Sequence, residues 1–181
     1  LLDVCNQLLA TGLLHFELRD ASPRGHPALF DIVAAIARAK RAVALTLPAA
    51  AGAHSSTALA HHRSARLLLA GRSATEVWAQ LDLLTRARAV GQRVGLSLQL
   101  GADLATHLPA ILQACIDERV REIDVPVQRS GDAGRPVWFG RQQTEDLSRA
   151  LQALALVELK IAVHDPFLWR AVFADRAHQA A

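Results

Sequence analysis

Two rhythms of apolar and polar positions take turns along the chain. Leu14, Phe16 and Leu18 alternate with His15, Glu17 and Arg19, a period of two that predicts a strand over 13–18 with one apolar face. Before it, Leu1, Val4, Cys5, Leu8 and Leu9 fall at helical spacing, and Thr11-Gly12 ends that helix. Pro27 suits the first turn of the next helix, 27–41, because its missing N–H would be unpaired there; Leu29, Ile32, Val33 and Ile36 form its inner face. A strand over 42–47 is closed by Pro48. The small, flexible 49–52 segment leads into a short helix over 55–63, and a strand over 66–70 ends at Gly71. Ser73 and Glu76 stand at capping-box spacing, opening a helix that runs to about Gly91. A strand over 93–100 follows, then Gly101-Ala102-Asp103 and a helix to 118, then a strand over 120–127. The Gly- and Pro-rich loop 129–140 precedes a helix over 142–154 and a strand over 157–163, and Asp165-Pro166 opens a final helix.

The order is one helix followed by six strand–helix units. At this spacing the connections are right-handed crossovers and the sheet is parallel. Parallel strands covered on both faces read as unbroken apolar runs, but several here alternate. Gly95, Ser97 and Gln99 oppose Val94, Leu96 and Leu98. Glu122 and Asp124 oppose Ile123 and Val125. Glu158, Lys160 and His164 oppose Val157, Leu159, Ile161 and Val163. The pattern predicts an α/β fold: a partial (β/α)6 TIM-like barrel with helices on its outer face and a polar concave side. The other reading is a polar face exposed to solvent or covered by a further segment. No internal repeat or low-complexity linker divides residues 1–181, so a single domain is expected.

Composition narrows the function classes. Lys and Arg number 20 against 17 Asp and Glu, and aromatic residues make up 4%. No basic run is interleaved with aromatics, so nucleic acid is not an expected partner. No apolar run reaches the roughly 18 residues of a membrane span, nothing at the start has signal-peptide layout, and a cytoplasmic location is the expectation. The chain opens inside an amphipathic pattern and has no methionine, which reads as a segment of a longer protein or a processed chain. Richness in Ala and Arg suggests a bacterial source. Two cysteines, Cys5 and Cys115, are too few for a disulfide scaffold; both fall on apolar helix faces and read as packed core thiols.

Several groups could carry chemistry. His15, Glu17 and Arg19 share one strand face and lead into Asp20; they read either as a structural salt bridge or as a site. His164-Asp165 follows the last strand, at the end where ligands gather in such folds. His164 can move a proton near neutral pH, while Asp165 before Pro166 is also a good helix N-cap. His54, His61 and His62 lack metal-site spacing. Trp138-Phe139, in the long loop, reads as a lid, a partner contact or packing at the barrel mouth. The candidate catalytic residues are Glu17, Lys160 and His164, and no metal site is expected.

The run GLLHFELRDASPRGHPALFDIVAA (12–35) resembles the second strand and helix of the radical S-adenosylmethionine (SAM) superfamily core. It is closest to the branch with a C-terminal SPASM domain that matures peptides or cofactors. That family shows a Gly-x-x-His strand, then Gly-Gly-Glu-Pro, then a His-Pro-x-Leu helix start. This chain keeps Gly12-Leu13-Leu14-His15, Pro23 and His26-Pro27-x-Leu29. The segment 83–112, with its helix, Gly91, strand and Asp103-Leu104, resembles the family's fourth helix and fifth strand. The resemblance implies that Asp20, Ala21, Ser22 and Pro23 stand where the family cradles the methionine amino group of SAM. There both glycines are replaced, and the carboxylate is shifted to Asp20.

The family's C-x-x-x-C-x-x-C cluster motif is not in this sequence, nor are the auxiliary-cluster cysteines of a SPASM domain. SAM and a [4Fe–4S] cluster are therefore expected only if the first strand and cluster loop lie upstream. Three functions follow. The chain is a pseudoenzyme-like, non-catalytic partner of a sister radical SAM enzyme or of a peptide substrate. Alternatively it is part of an active radical SAM enzyme, or an unrelated barrel enzyme or small-molecule binder using His15, Glu17, Lys160 and His164.

Overall fold

The computed structural model describes residues 1–20, 26–48, 65–127, 142, 145–146, 148–149 and 159–164. The elements are α1 (Leu2–Ala10), β1 (His15–Arg19), α2 (Leu29–Arg38), β2 (Ala42–Pro48), β3 (Ala65–Gly71), α3 (Ala74–Ala89), β4 (Arg93–Leu98), α4 (Ala102–Asp117), β5 (Glu122–Val125) and β6 (Lys160–Val163). The six parallel strands form one sheet in the order β1-β2-β3-β4-β5-β6. This is the α/β partial TIM-like barrel that the alternating rhythms predict. The expected helix over 55–63, the loop 129–140 and the helix after Asp165 lie outside the described residues.

The backbone groups into two compact units, Leu1–Ala70 with Ala79–Gly95, and Gly71–Trp78 with Leu96–Ala181. In the first, register lines up the apolar positions in rows across the strands. Phe16 stands beside Val43 and Val43 beside Ala65; Leu18 stands beside Leu45 and Leu45 beside Leu67. Leu45, Leu47, Leu67 and Leu69 are wholly buried, each worth about 1.5–3 kcal/mol of hydrophobic stabilisation. Helix α2 contacts β2 and buries Leu29, Ile32, Val33 and Ile36, the four residues its spacing selects. Two buried glutamines fasten the ends of β3: the side-chain amide of Gln92 donates to the Ala65 carbonyl, and that of Gln80 to the Ala70 carbonyl at 2.9 Å.

The first helix departs from expectation. Its periodicity predicts a buried stripe, yet Cys5 is the residue that α1 buries, and Leu1, Val4 and Leu8 stay exposed. Gly12, at φ +83°, follows its end in the left-handed conformation that glycine adopts without steric penalty.

In the second unit, α4 buries Leu104, Leu108, Ile111, Leu112 and Cys115, and Leu96, Leu98, Ile123 and Val125 complete the core. Ile123 pairs with Ile161 and Val125 with Val163 across β5 and β6. Here the expectation of a wet polar face fails for two strands. Ser97 on β4 and Asp124 on β5 are 2% and 6% exposed. Both strands are buried on two faces although their sequences alternate, because the polar side chains satisfy one another. β1 keeps the alternating exposure that its sequence predicts.

Three helices end in the same way. After α2, Arg41 N–H donates to Ile36 O and Lys40 N–H to Ala37 O. After α3, Gln92 donates to Ala87 O and Gly91 to Arg88 O, and after α4, Val120 donates to Cys115 O and Arg119 to Ile116 O. This paired closure is the Schellman motif. The left-handed positions are Lys40, Gly91 and Arg119, at φ 56°, 87° and 56°. Each closure leads within one or two residues into the following strand.

Both cysteines are buried free thiols. Burial raises the Cys5 pKa, and it pushes the Cys115 thiol up to about 12. At pH 8 the Cys115 thiolate fraction is therefore on the order of 10⁻⁴, about a thousandfold below that of an ordinary cysteine. Iodoacetamide at pH 8 is expected to leave Cys115 unmodified in the native chain and to label it fully in guanidinium chloride, as read by mass spectrometry. Native labelling at the unfolded rate would contradict the buried placement. The linkage has a definite sign: above pH 9 the unfolded chain loses a proton that the folded one keeps, so this group lowers stability as pH rises from 9 toward 12.

Candidate functional site

Two polar clusters occupy the strands and loops where chemistry was expected, one in each unit. In the first, Glu17 sits between His15 and Arg19 on β1. His15 Nε2 is 3.7 Å from its Oε1 and Arg19 Nη2 is 3.8 Å from its Oε2, with all three side chains about half exposed. A period of two places these side chains on one strand face. Exposed pairs at this separation contribute at most about 1 kcal/mol each, so the geometry is that of a surface ion-pair row.

Asp20 extends the row into the loop. Its N–H donates to Thr46 O at 3.0 Å, continuing the β1–β2 pairing, and its Oδ2 accepts the His26 N–H at 2.5 Å. His26 Nδ1 in turn accepts the Ala28 N–H at 3.1 Å, and His26 O accepts the Leu29 N–H. The helix therefore starts at Leu29 and not at Pro27, because His26 satisfies the donors of the opening turn and Pro27 stands in that turn. Asp20 thus shapes this loop. Ala21, Ser22 and Pro23 lie outside the described residues.

The second cluster is the more enclosed. Asp124, in the middle of β5, has two partners from two other segments. Its Oδ2 accepts from Ser97 Oγ of β4 at 3.2 Å, and its Oδ1 lies 2.8 Å from His164 Nε2. His164 follows β6 directly, and its backbone N–H donates to Val125 O at 2.8 Å, so the residue is held through its backbone as well as through Nε2. Asp124 and Ser97 are buried while the His164 side chain is 46% exposed: a carboxylate held inside, with its imidazole partner at the surface. Lys160 is exposed and stands beside Glu122 in the β5–β6 register, where opposite charges on neighbouring strands favour each other.

Sequence reasoning named His164 and Lys160 and put Asp124 and Ser97 on polar faces, but did not join them. The available signal was the shared two-residue rhythm on β4 and β5. The arrangement excludes one chemistry. In an acyl-transfer triad the serine hydroxyl bonds to the histidine, whose other nitrogen bonds to the aspartate. Here Ser97 is buried and bonds to the aspartate, so it braces Asp124 and is not poised as a nucleophile. His54, His61, His62, Trp138, Phe139 and Asp165 lie outside the described residues.

A third feature lies at the carboxyl end of β3. Gly71 packs directly beneath α3: a Cβ there would collide with Val77 Cγ2 and lie 3.9 Å from Leu98 Cδ2. The Ala74 and Glu76 N–H groups of the α3 N-terminus have side-chain partners. Glu76 N–H donates to Ser73 Oγ at 3.2 Å, Glu76 Oε2 accepts the Arg72 N–H at 2.8 Å, and Asp103 Oδ2 accepts the Ala74 N–H at 2.7 Å. The expected capping box is half formed, since Glu76 reaches one residue further back than the serine.

Among the described residues no group of three His, Cys, Asp or Glu side chains could hold a metal ion. An iron–sulfur cluster needs thiolates, and this chain has two cysteines, both buried, with burial opposing the thiolate. The chain's own residues do not fit a cluster. No helix among the described residues is long and apolar enough to cross a membrane.

The parallel strands and their strand–helix order define a partial (β/α) barrel. Among the solved structures that share it are three of SuiB from Streptococcus suis. SuiB itself aligns with a TM-score of 0.74 at 11% identity over 96% of this chain and 44% of its own. SuiB bound to S-adenosylmethionine aligns at 0.73 and 13% identity, covering 94% of this chain and 44% of its own. SuiB bound to precursor peptide SuiA aligns at 0.74 and 12% identity, covering 97% of this chain and 43% of its own. The chain thus spans less than half the length of the structures it resembles, and at this identity the likeness is one of fold. No protein-family model and no curated protein matches the sequence.

Proposed function

We propose that this chain is a radical SAM-like domain of peptide maturation, acting as a non-catalytic partner or substrate-binding module. The observation that carries the reading is the alignment of 94–97% of the chain with a peptide-modifying enzyme, in a chain whose own cysteines cannot hold a cluster. Its partners would be a peptide substrate, as in the SuiB structure with SuiA, or a sister radical SAM enzyme of the SPASM-containing branch. A second reading, part of an active enzyme whose cluster lies in another segment, is favoured by the chain's coverage of only 43–44% of SuiB.

The native full-length polypeptide, purified without oxygen, separates the two. Its iron and acid-labile sulfide are measured, followed by calorimetric titration with SAM and with the precursor peptide SuiA. Peptide binding without iron is the expected result. About four irons per chain, with reductive cleavage of SAM, would establish the second reading. Binding of neither SAM nor peptide, in an iron-free protein, would overturn both.

A further inference from the structure

We infer that His164, its ring fixed by the buried Asp124, is a hydrogen-bond-accepting site for an N–H or O–H donor of a bound peptide. The peptide as ligand rests on the reading above; the acceptor itself rests on geometry alone. A neutral imidazole carries its proton on one nitrogen and a lone pair on the other, and which is which follows from the partner of either nitrogen. Nε2 lies 2.8 Å from Asp124 Oδ1. A carboxylate accepts and does not donate, so Nε2 is the protonated nitrogen and Nδ1 carries the lone pair.

Three features hold that tautomer in place. Ser97 Oγ donates to the other carboxylate oxygen at 3.2 Å, fixing the plane of Asp124. Asp124 is 8% exposed in its side chain, so water competes poorly for Oδ1. The His164 N–H is bonded to Val125 O, which ties the backbone of His164 to the strand that carries Asp124. Against this, the imidazole is 46% exposed, which leaves it accessible at the end of β6. A carboxylate behind and solvent access in front is the layout that orients an imidazole toward an incoming hydrogen-bond donor. The ligand's N–H or O–H donates a hydrogen bond to the Nδ1 lone pair and keeps its own proton, so no bond is broken in this contact.

The test uses the full chain labelled with ¹⁵N-histidine, with His164 assigned by loss of its signals in His164→Gln. Long-range ¹H–¹⁵N correlation at neutral pH is expected to show His164 as the single Nε2–H tautomer. Asp124→Ala should convert it to a mixture, and Asp124→Asn, whose amide oxygen still accepts, should restore it. A wild-type ring in the Nδ1–H form, or already mixed, overturns the inference even if Asp124→Ala fails to fold. A capped triglycine peptide at millimolar concentration is then added, with glycerol as a hydroxyl-only probe. An upfield shift of Nδ1 with the peptide, lost in Asp124→Ala, supports a peptide ligand. A shift with glycerol alone, or with neither probe, overturns the peptide as the ligand of this site, and with it weakens the reading on which it rests, while the tautomer result stands separately.

Discussion

Replacing Leu45 by alanine is expected to lower folding stability by about 2–5 kcal/mol, the range for emptying a leucine site in a packed core. Leu45 is wholly buried and stands in the middle of a row of three leucines, with Leu18 beside it on β1 and Leu67 on β3. Backbone pairing on both sides fixes the spacing of these strands, so the neighbours cannot close over the space that the side chain leaves. Leu45→Met, which nearly conserves volume, should cost less than about 1.5 kcal/mol. Urea titration checks both: the Leu45→Ala midpoint should fall with little change in slope. A loss below about 1 kcal/mol would mean that β2 is not held between β1 and β3 as described.

Gly71→Ala is expected to cost about 1–3 kcal/mol, the range for overpacking, although alanine is the smallest change available there. The reason is contact and not backbone conformation: the added methyl would overlap Val77 Cγ2, and Val77 is itself wholly buried at the start of α3. The two substitutions should therefore couple. Val77→Ala removes the obstructing methyl, so the loss in Gly71→Ala/Val77→Ala should be smaller than the sum of the two single losses. Strictly additive losses would place the cost of Gly71→Ala elsewhere than in this contact.

The fold was legible because each element states its class in its own residues. Period-two alternation found β1, and Leu29, Ile32, Val33 and Ile36 found the inner face of α2. What could not be read were the relations between distant positions. Ser97 and Asp124, 27 positions apart, look like solvent-facing residues of half-exposed strands until the chain between them folds and the two side chains meet. The same holds for Asp124 and His164. Glycine marked the helix ends at Gly12 and Gly91; the ends near 41 and 118 were also expected, but not the left-handed conformation of Lys40 and Arg119, since nothing in a lysine or arginine announces a positive φ. Pro27 misplaced the start of α2 because the donors of that turn are met by His26, a residue type rarely read as a cap. The helical spacing of α1 predicted a buried stripe, but periodicity states which residues share a face and not whether anything lies against that face.

The carboxylate of Asp103 against the Ala74 N–H has a consequence for what this sheet can recognise. The positive pole of a helix following a strand is where many proteins of this general build draw in phosphate or another anion. Here α3 already has its counter-charge, supplied from α4 of the same unit. An anion arriving at the end of β3 would meet a fixed negative group and no unpaired donor at Ala74. The Ala74 end of α3 is thus neutralised from within the chain, and an anion would have to displace Asp103 before it gained that donor.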